Sequence, residues 1–195
     1  DPKRAFVAYG RAFREDPHSE GVRETLTALA GETKSWGDLV ALLREVAEAA
    51  DPDLSRALWL RIADVEFRQV GSIERAVAAY ERVLDQNPAD AEALEAIEQT
   101  YRAAERWQDV LSVYRRRLDL ATDPDARDEI QASIATVHEE MLGDPETAVR
   151  TWREVLDTDP ANRRALGALD RLFTRLGRWQ DLSDNLQTRL ALAES

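Results

Sequence analysis

The chain of 195 residues is 44% hydrophobic and 33% charged, with only 8 Gly and 7 Pro, a composition that favours helix throughout and one sizeable domain. Its net charge of −12 argues against a general affinity for nucleic acid or anionic lipid, and the absence of cysteine excludes disulfide and thiol chemistry. No apolar run approaches the ~20 residues of a membrane span and no signal-like N-terminus is present, so membrane insertion is not expected.

Helix starts carry repeated capping chemistry. Asp1-Pro2, Asp51-Pro52, Asp123-Pro124 and Asp144-Pro145 each place an acceptor before a proline suited to a first helical turn. Ser19, Asp90 and Asn162 form a second set of caps, each two residues after a proline, and Ser35 with Asp38 resembles a capping box. Between these signals apolar residues recur at three- and four-residue steps, and no segment alternates with period two. The pattern predicts about eleven helices, at roughly 2–15, 20–32, 36–50, 53–69, 73–86, 91–104, 107–121, 124–142, 145–158, 163–176 and 179–193. Connections of two to five residues imply that successive helices pack as antiparallel neighbours.

One stretch occurs three times. Ala76 to Pro88 reads AVAAYERVLDQNP, Ala148 to Pro160 reads AVRTWREVLDTDP, and Ala5 to Pro17 reads AFVAYGRAFREDP. Trp36, Trp107 and Trp179 keep the same spacing inside SWGDLV, RWQDVL and RWQDLS. The periods are 1–71, 72–143 and the incomplete 144–195, each complete one holding two hairpins of about 36 residues. A single hairpin has too little apolar surface to stand alone and must stack on its neighbour. The expected architecture is all-α, a solenoid of antiparallel hairpins in a single domain over 1–195. The first helix lacks a hairpin partner and the last exposes Leu182, Leu186 and Leu190, so the chain reads as a piece of a longer array with apolar ends open to self-association.

The spacing Ala76–Tyr80–Val83–Pro88, with its copies Ala148–Trp152–Val155–Pro160 and Ala5–Tyr9–Ala12–Pro17, resembles the second helix of a tetratricopeptide repeat. Trp59–Ile62–Ala63, Leu94–Ile97–Tyr101 and Leu166–Leu169–Phe173 resemble its first helix. The resemblance covers essentially the whole chain and implies a right-handed α-solenoid. The chain departs from the family where small residues are usual, with Glu98, Asp170 and Thr27 in first helices and Val110 and Leu182 in second helices. Only 2 of the 26 basic residues are Lys, which fits a high-GC bacterial genome.

In such a solenoid the first helices line the concave surface, and their outward residues face a groove. The resemblance therefore implies a groove of Leu60, Asp64, Phe67 and Arg68, then Glu92, Glu95, Gln99 and Arg102, then Glu129, Thr136, Glu139 and Glu140, then Arg164, Arg171, Thr174 and Arg175. Leu60 and Phe67 share a stripe that either anchors an apolar side chain of a partner or packs on the neighbouring hairpin. The arginines of 164–175 suit a carboxylate or an acidic segment. Charge changes sign along the chain, from 8 basic and 16 acidic residues over 72–143 to 6 basic and 4 acidic over 161–195. The Lys and Asn clamp by which the family grips chaperone C-termini has no counterpart here.

Trp36, Trp107 and Trp179 open equivalent helices and are expected to plug the hairpin turns, with Tyr80 and Trp152 as core aromatics. No catalytic constellation is present. His18 and His138 are isolated, HEEM at 138–141 lacks the second histidine of a zinc helix, and there is no phosphate-binding glycine loop. No metal or cofactor is expected, and no enzyme. The sequence points to a noncatalytic scaffold that holds a peptide or helix of another protein, with a structural spacer or self-assembling rod as the alternative.

Overall fold

The structure, a computed structural model, describes residues 1–193. Eleven α-helices and no strand occur among them. They are α1 (Pro2–Glu15), α2 (Glu20–Thr33), α3 (Trp36–Ala49), α4 (Pro52–Val65), α5 (Ile73–Gln86), α6 (Ala91–Ala103), α7 (Trp107–Leu120), α8 (Pro124–Thr136), α9 (Pro145–Thr158), α10 (Arg163–Leu176) and α11 (Trp179–Ala193). Two of them end in a π-helical turn, Glu66–Val70 after α4 and Val137–Met141 after α8. The chain is an all-α protein of stacked helix hairpins, the α-solenoid class.

The cap chemistry explains most helix starts. Asp1, Asp51, Asp90, Asp123, Asp144 and Asn162 each accept a hydrogen bond from a backbone amide of the first turn. Ser19 and Ser35 do not: neither side chain caps its helix, and the Ser35 hydroxyl lies 2.6 Å from that of Thr33 instead. The capping box expected at Ser35 is therefore absent. A neighbouring hydroxyl competes for the oxygen that would have met the amide.

The helices gather into two compact units, residues 1–104 and 105–195. In the first, α1 packs on α2, α3 on α4, α4 on α5 and α5 on α6. Phe13, Leu26, Leu39, Leu58, Ile62, Leu84 and Ile97 are fully or almost fully buried there. In the second, α8 packs on α9, α9 on α10 and α10 on α11, around a core of small and aromatic residues including Ala135, Ala148, Trp152, Ala168, Leu172 and Phe173. Alanines at 135, 148 and 168 let the helix backbones approach the large rings of Trp152 and Phe173. Tyr80 and Trp152 are buried at equivalent points of α5 and α9.

The three repeated tryptophans differ in exposure. Trp36 is half-buried, its ring edge close enough to Gly31 in α2 that a Cβ there would sit 3.4 Å from Cζ2. Trp107 is also half-buried, but Trp179 is 65% exposed. Among the described residues the ring of Trp179 is therefore less enclosed than those of the two earlier copies.

The candidate binding face

First helices carry the candidate site. In unit 1 the three first helices α2, α4 and α6 alternate with second helices, and the spaces between successive first helices form two clefts. One, of about 320 Å³, is lined by Glu20, Arg23, Glu24 and Thr27 of α2 and by Ala57, Leu58 and Arg61 of α4, with Leu43 beneath. The other, of about 260 Å³, lies between the end of α4 and α6. Asp64, Phe67, Arg68, Glu92, Glu95 and Gln99 line it, together with Ala96, Thr100 and Tyr80.

The π-helical turn matters to this second cleft. It inserts one residue into the helical ladder at Glu66–Val70, so Phe67 and Arg68 are presented from a widened last turn rather than from a regular α-helix. Gly71 closes the turn in the left-handed region at φ 77°, which only glycine adopts without strain.

The electrostatics of the α4/α6 cleft are mostly settled by internal pairs. Asp64 takes the Arg68 Nε at 2.5 Å and lies 3.5 Å from Arg61. Glu92 accepts from Arg56 Nη2 at 2.7 Å. Glu95 accepts from the Gln99 amide at 3.0 Å and, among the described residues, meets no cation. Beneath them lies the Tyr80 ring, 8% exposed. Burial first, and the nearby Asp64 carboxylate second, push the Tyr80 phenol above its ordinary pKa. With three acids and one arginine at its rim, the cleft offers carboxylate oxygens, an aromatic edge at Phe67 and a neutral phenol. These suit an ammonium or guanidinium group beside an apolar one.

The remaining groove residues are not gathered with these. Leu60 is half-buried and Arg102 pairs with Glu98 at 2.9 Å, and neither lines the α4/α6 cleft. In unit 2 the Thr136 hydroxyl donates to the Ala132 carbonyl, and Glu139, largely shielded, lies 3.3 Å from Arg175. Arg164 and Arg171 are exposed, the first over the Trp152 ring at 5.9 Å and the second donating to the Gly167 carbonyl at 3.3 Å. Tyr80 is the cleft residue the sequence placed elsewhere, as core only, because the spacing that buries its ring does not say where its hydroxyl emerges.

No metal-binding cluster of histidines and acids occurs among the described residues. His138 has its Nδ1 buried without a hydrogen-bond partner, 3.8 Å from Asp144, and burial lowers its pKa. No helix among the described residues is long and apolar enough to cross a membrane.

Hairpins of fixed length, alternating first and second helices at a 71- to 72-residue double period, make this chain a helical repeat protein. The tetratricopeptide repeat family matches residues 93–128, which run from α6 through α7 into α8. That fold is in general a noncatalytic one that serves protein interaction. Similar solved structures include a crystal structure of MamA protein, 13% identical, with a TM-score of 0.48 over 89% of this chain and 91% of that one. A second MamA structure, AMB-1, is 15% identical, with a TM-score of 0.47 over 99% and 94%. YrrB, described as a TPR protein with an unusual peptide-binding site, is 15% identical, with a TM-score of 0.42 over 67% and 65%. No curated protein matches the sequence.

Proposed function

We propose that this chain is a noncatalytic interaction scaffold whose first helices hold a peptide or helix of another protein. The observation that carries the reading is the meeting of Asp64, Phe67, Arg68 and Gln99 in one cleft with Glu92, Glu95 and the Tyr80 ring. A partner segment bearing Lys or Arg next to a bulky apolar residue matches that lining: the cation takes Glu95, and the apolar residue takes Phe67. On the first helices of unit 2, Thr136, Glu139, Arg164, Arg171 and Arg175 offer polar contacts of their own, and the arginines suit an acidic segment.

The test is a random peptide display library selected on the chain. Selected peptides should be enriched in a basic residue flanking an apolar one. Their affinity should fall at least about tenfold in Phe67→Ala and in Glu95→Gln, with helicity unchanged. Equal affinity in Phe67→Ala and Arg171→Ala would remove the first-helix face from the account.

A second reading, a rod that associates end to end, draws on exposed apolar residues of the terminal helices: Val7 and Tyr9 on α1, Leu186 and Leu190 on α11. Light scattering that rises with concentration, and no peptide selected by the cleft, would favour it.

A further inference from the structure

Two equivalent turns, α3 to α4 and α7 to α8, are closed differently. At the end of α7 the Ala121 amide donates to the Arg117 carbonyl at 2.9 Å. Nη1 of Arg127, in the first turn of α8, donates to the carbonyls of Leu118 at 2.7 Å and Ala121 at 3.1 Å. A guanidinium thus covers the negative end of α7. Counted from Trp36 and Trp107, Ala47 and Ala50 hold the places of Leu118 and Ala121. Counted from Pro52 and Pro124, Ser55 holds the place of Arg127. The end of α3 therefore lacks its cation. Among the described residues, no backbone amide and no side chain donates to the carbonyl of Ala47 or Ala50.

Where that guanidinium is missing, a cleft of about 430 Å³ opens between the end of α3, the start of α4 and the later turns of α5. Ala47 and Ala50 line it, together with Glu48, which is exposed and, among the described residues, pairs with no cation. Ser55 is almost completely buried, and its hydroxyl accepts from the Gln86 amide at 3.1 Å, so it does not serve the carbonyls in place of an arginine. Arg82 also lines the cleft, but its charge is engaged: it lies over the Trp59 ring at 5.4 Å and 3.5 Å from Asp85. The cleft shares no residue with the α2/α4 or α4/α6 clefts, so what binds here is independent of what binds there.

We propose that this cleft takes the guanidinium of an arginine from a partner protein, in the place that Arg127 fills from within the chain one repeat on. One nitrogen bridges the carbonyls of Ala47 and Ala50, as Nη1 of Arg127 bridges those of Leu118 and Ala121. The rest of the planar fork meets the Glu48 carboxylate. Unfilled carbonyls at a helix end carry partial negative charge and Glu48 adds a full one, so the site selects a cation over an anion or a neutral amide. An ammonium offers only a point charge, whereas the fork reaches the carbonyls and the carboxylate together.

The probe is N-acetyl-arginine amide, titrated into the whole chain and followed by amide NMR shifts. Saturable shifts are expected at Glu48, Ala50 and Asp51. Affinity should fall at least about threefold in Glu48→Gln, a change at an exposed position, and be lost in Ser55→Arg, which supplies the guanidinium from within. N-acetyl-lysine amide should bind more weakly, and N-acetyl-citrulline amide, which keeps the shape without the charge, should not bind. Arg127→Ser should open a second site, with new shifts at Asp119 and Ala121 on adding the same probe. Phe67→Ala should leave the titration unchanged, which separates this site from the first-helix cleft. Absence of saturable shifts, equal affinity for the lysine or citrulline probe, or unchanged affinity in Glu48→Gln overturns the proposal. So does tighter binding of free L-arginine than of the blocked residue, for the site would then serve the amino acid and not a protein side chain.

Discussion

Arg56 of α4 and Asp90, the cap of α6, form a two-pronged pair, with Nε 2.6 Å from Oδ2 and Nη2 3.1 Å from Oδ1. Asp90 also accepts the Ala93 amide at 3.0 Å, so one buried carboxylate both starts α6 and ties it to α4. One repeat on, the equivalent positions hold Asp128 and Asn162, and the Asn162 amide donates to Asp128 at 2.9 Å. The same two positions thus join consecutive first helices with reversed polarity, a cationic donor on α4 in one repeat and an amide donor on α10 in the next.

Asp90→Ala removes the cap and leaves two guanidinium donors without their acceptor. Loss of a cap costs about 1 kcal/mol, and the unmade hydrogen bonds about as much again, moderated because Arg56 is partly open to water. The expected fall of Tm is about 4–8 °C, read by circular dichroism. Asp90→Asn, which keeps a capping oxygen, should lose less.

The same pair gives a dependence on pH. The Arg56 hydrogen bond, ahead of the capping amide, holds the Asp90 carboxylate below its ordinary pKa. A group lowered in the folded state contributes stability above its unfolded pKa of about 3.9 and loses it as pH falls through the folded value. Urea midpoints measured from pH 6 downward should decline more steeply in the parent chain than in Asp90→Asn. Parallel curves would mean that the pair does not form in solution.

The helices were legible because the caps and the three- and four-residue apolar steps agree: α5, α9 and α10 run over 73–86, 145–158 and 163–176, the spans the spacing predicts. The π-helical turns were not. Phe67 and Val137 continue the apolar pattern, and nothing in a residue type distinguishes a bond to the fifth residue back from one to the fourth. Asp64, Phe67, Arg68 and Gln99, which the family resemblance together with helix register implied as groove residues, line one cleft. The clustering of acids around them was legible only as composition, because the pairs Arg56–Glu92 and Arg68–Asp64 depend on where helices and rotamers meet. Asn185 carries no sequence signal either: it stands where α3 has the buried Leu42 and α7 the buried Val113.

Trp107 and Trp179 should behave differently under the same substitution. Trp107 is half-buried, and its loss removes ring contacts worth about 2 kcal/mol at ~25 cal/mol/Å². Trp107→Ala should lower Tm by several degrees, roughly 4–8 °C. Trp179 is 65% exposed, so Trp179→Ala should stay within about 0.5 kcal/mol of the parent. Equal losses in the two variants would show that α11 is covered in solution.

Tyr80 offers an alkaline counterpart to Asp90. Burial raises its phenol pKa, and the neighbouring Asp64 adds to the shift. A phenol raised in the folded state contributes stability below the unfolded value of about 10 and loses it as pH rises toward the folded one. Spectroscopic titration at the tyrosinate band should show a late-ionising component that is lost in Tyr80→Phe. Stability of Tyr80→Phe should fall less between neutral pH and pH 11 than that of the parent.

Three equivalent helix ends differ in one residue. Lys34, Glu105 and Gly177 follow α2, α6 and α10, and all three adopt the left-handed region, at φ 55°, 56° and 66°. A side chain there meets its own backbone and costs about 1 kcal/mol, which Gly177 avoids. Lys34→Gly should therefore gain up to about 1 kcal/mol, reduced by the greater freedom of glycine in the unfolded chain. Lys34→Ala keeps the Cβ and should gain nothing. Gly177→Ala, the reverse change in the third copy, should lose a similar amount. Denaturant midpoints of the three variants decide the matter, since a gain in Lys34→Gly with none in Lys34→Ala isolates backbone strain from the loss of the lysine charge.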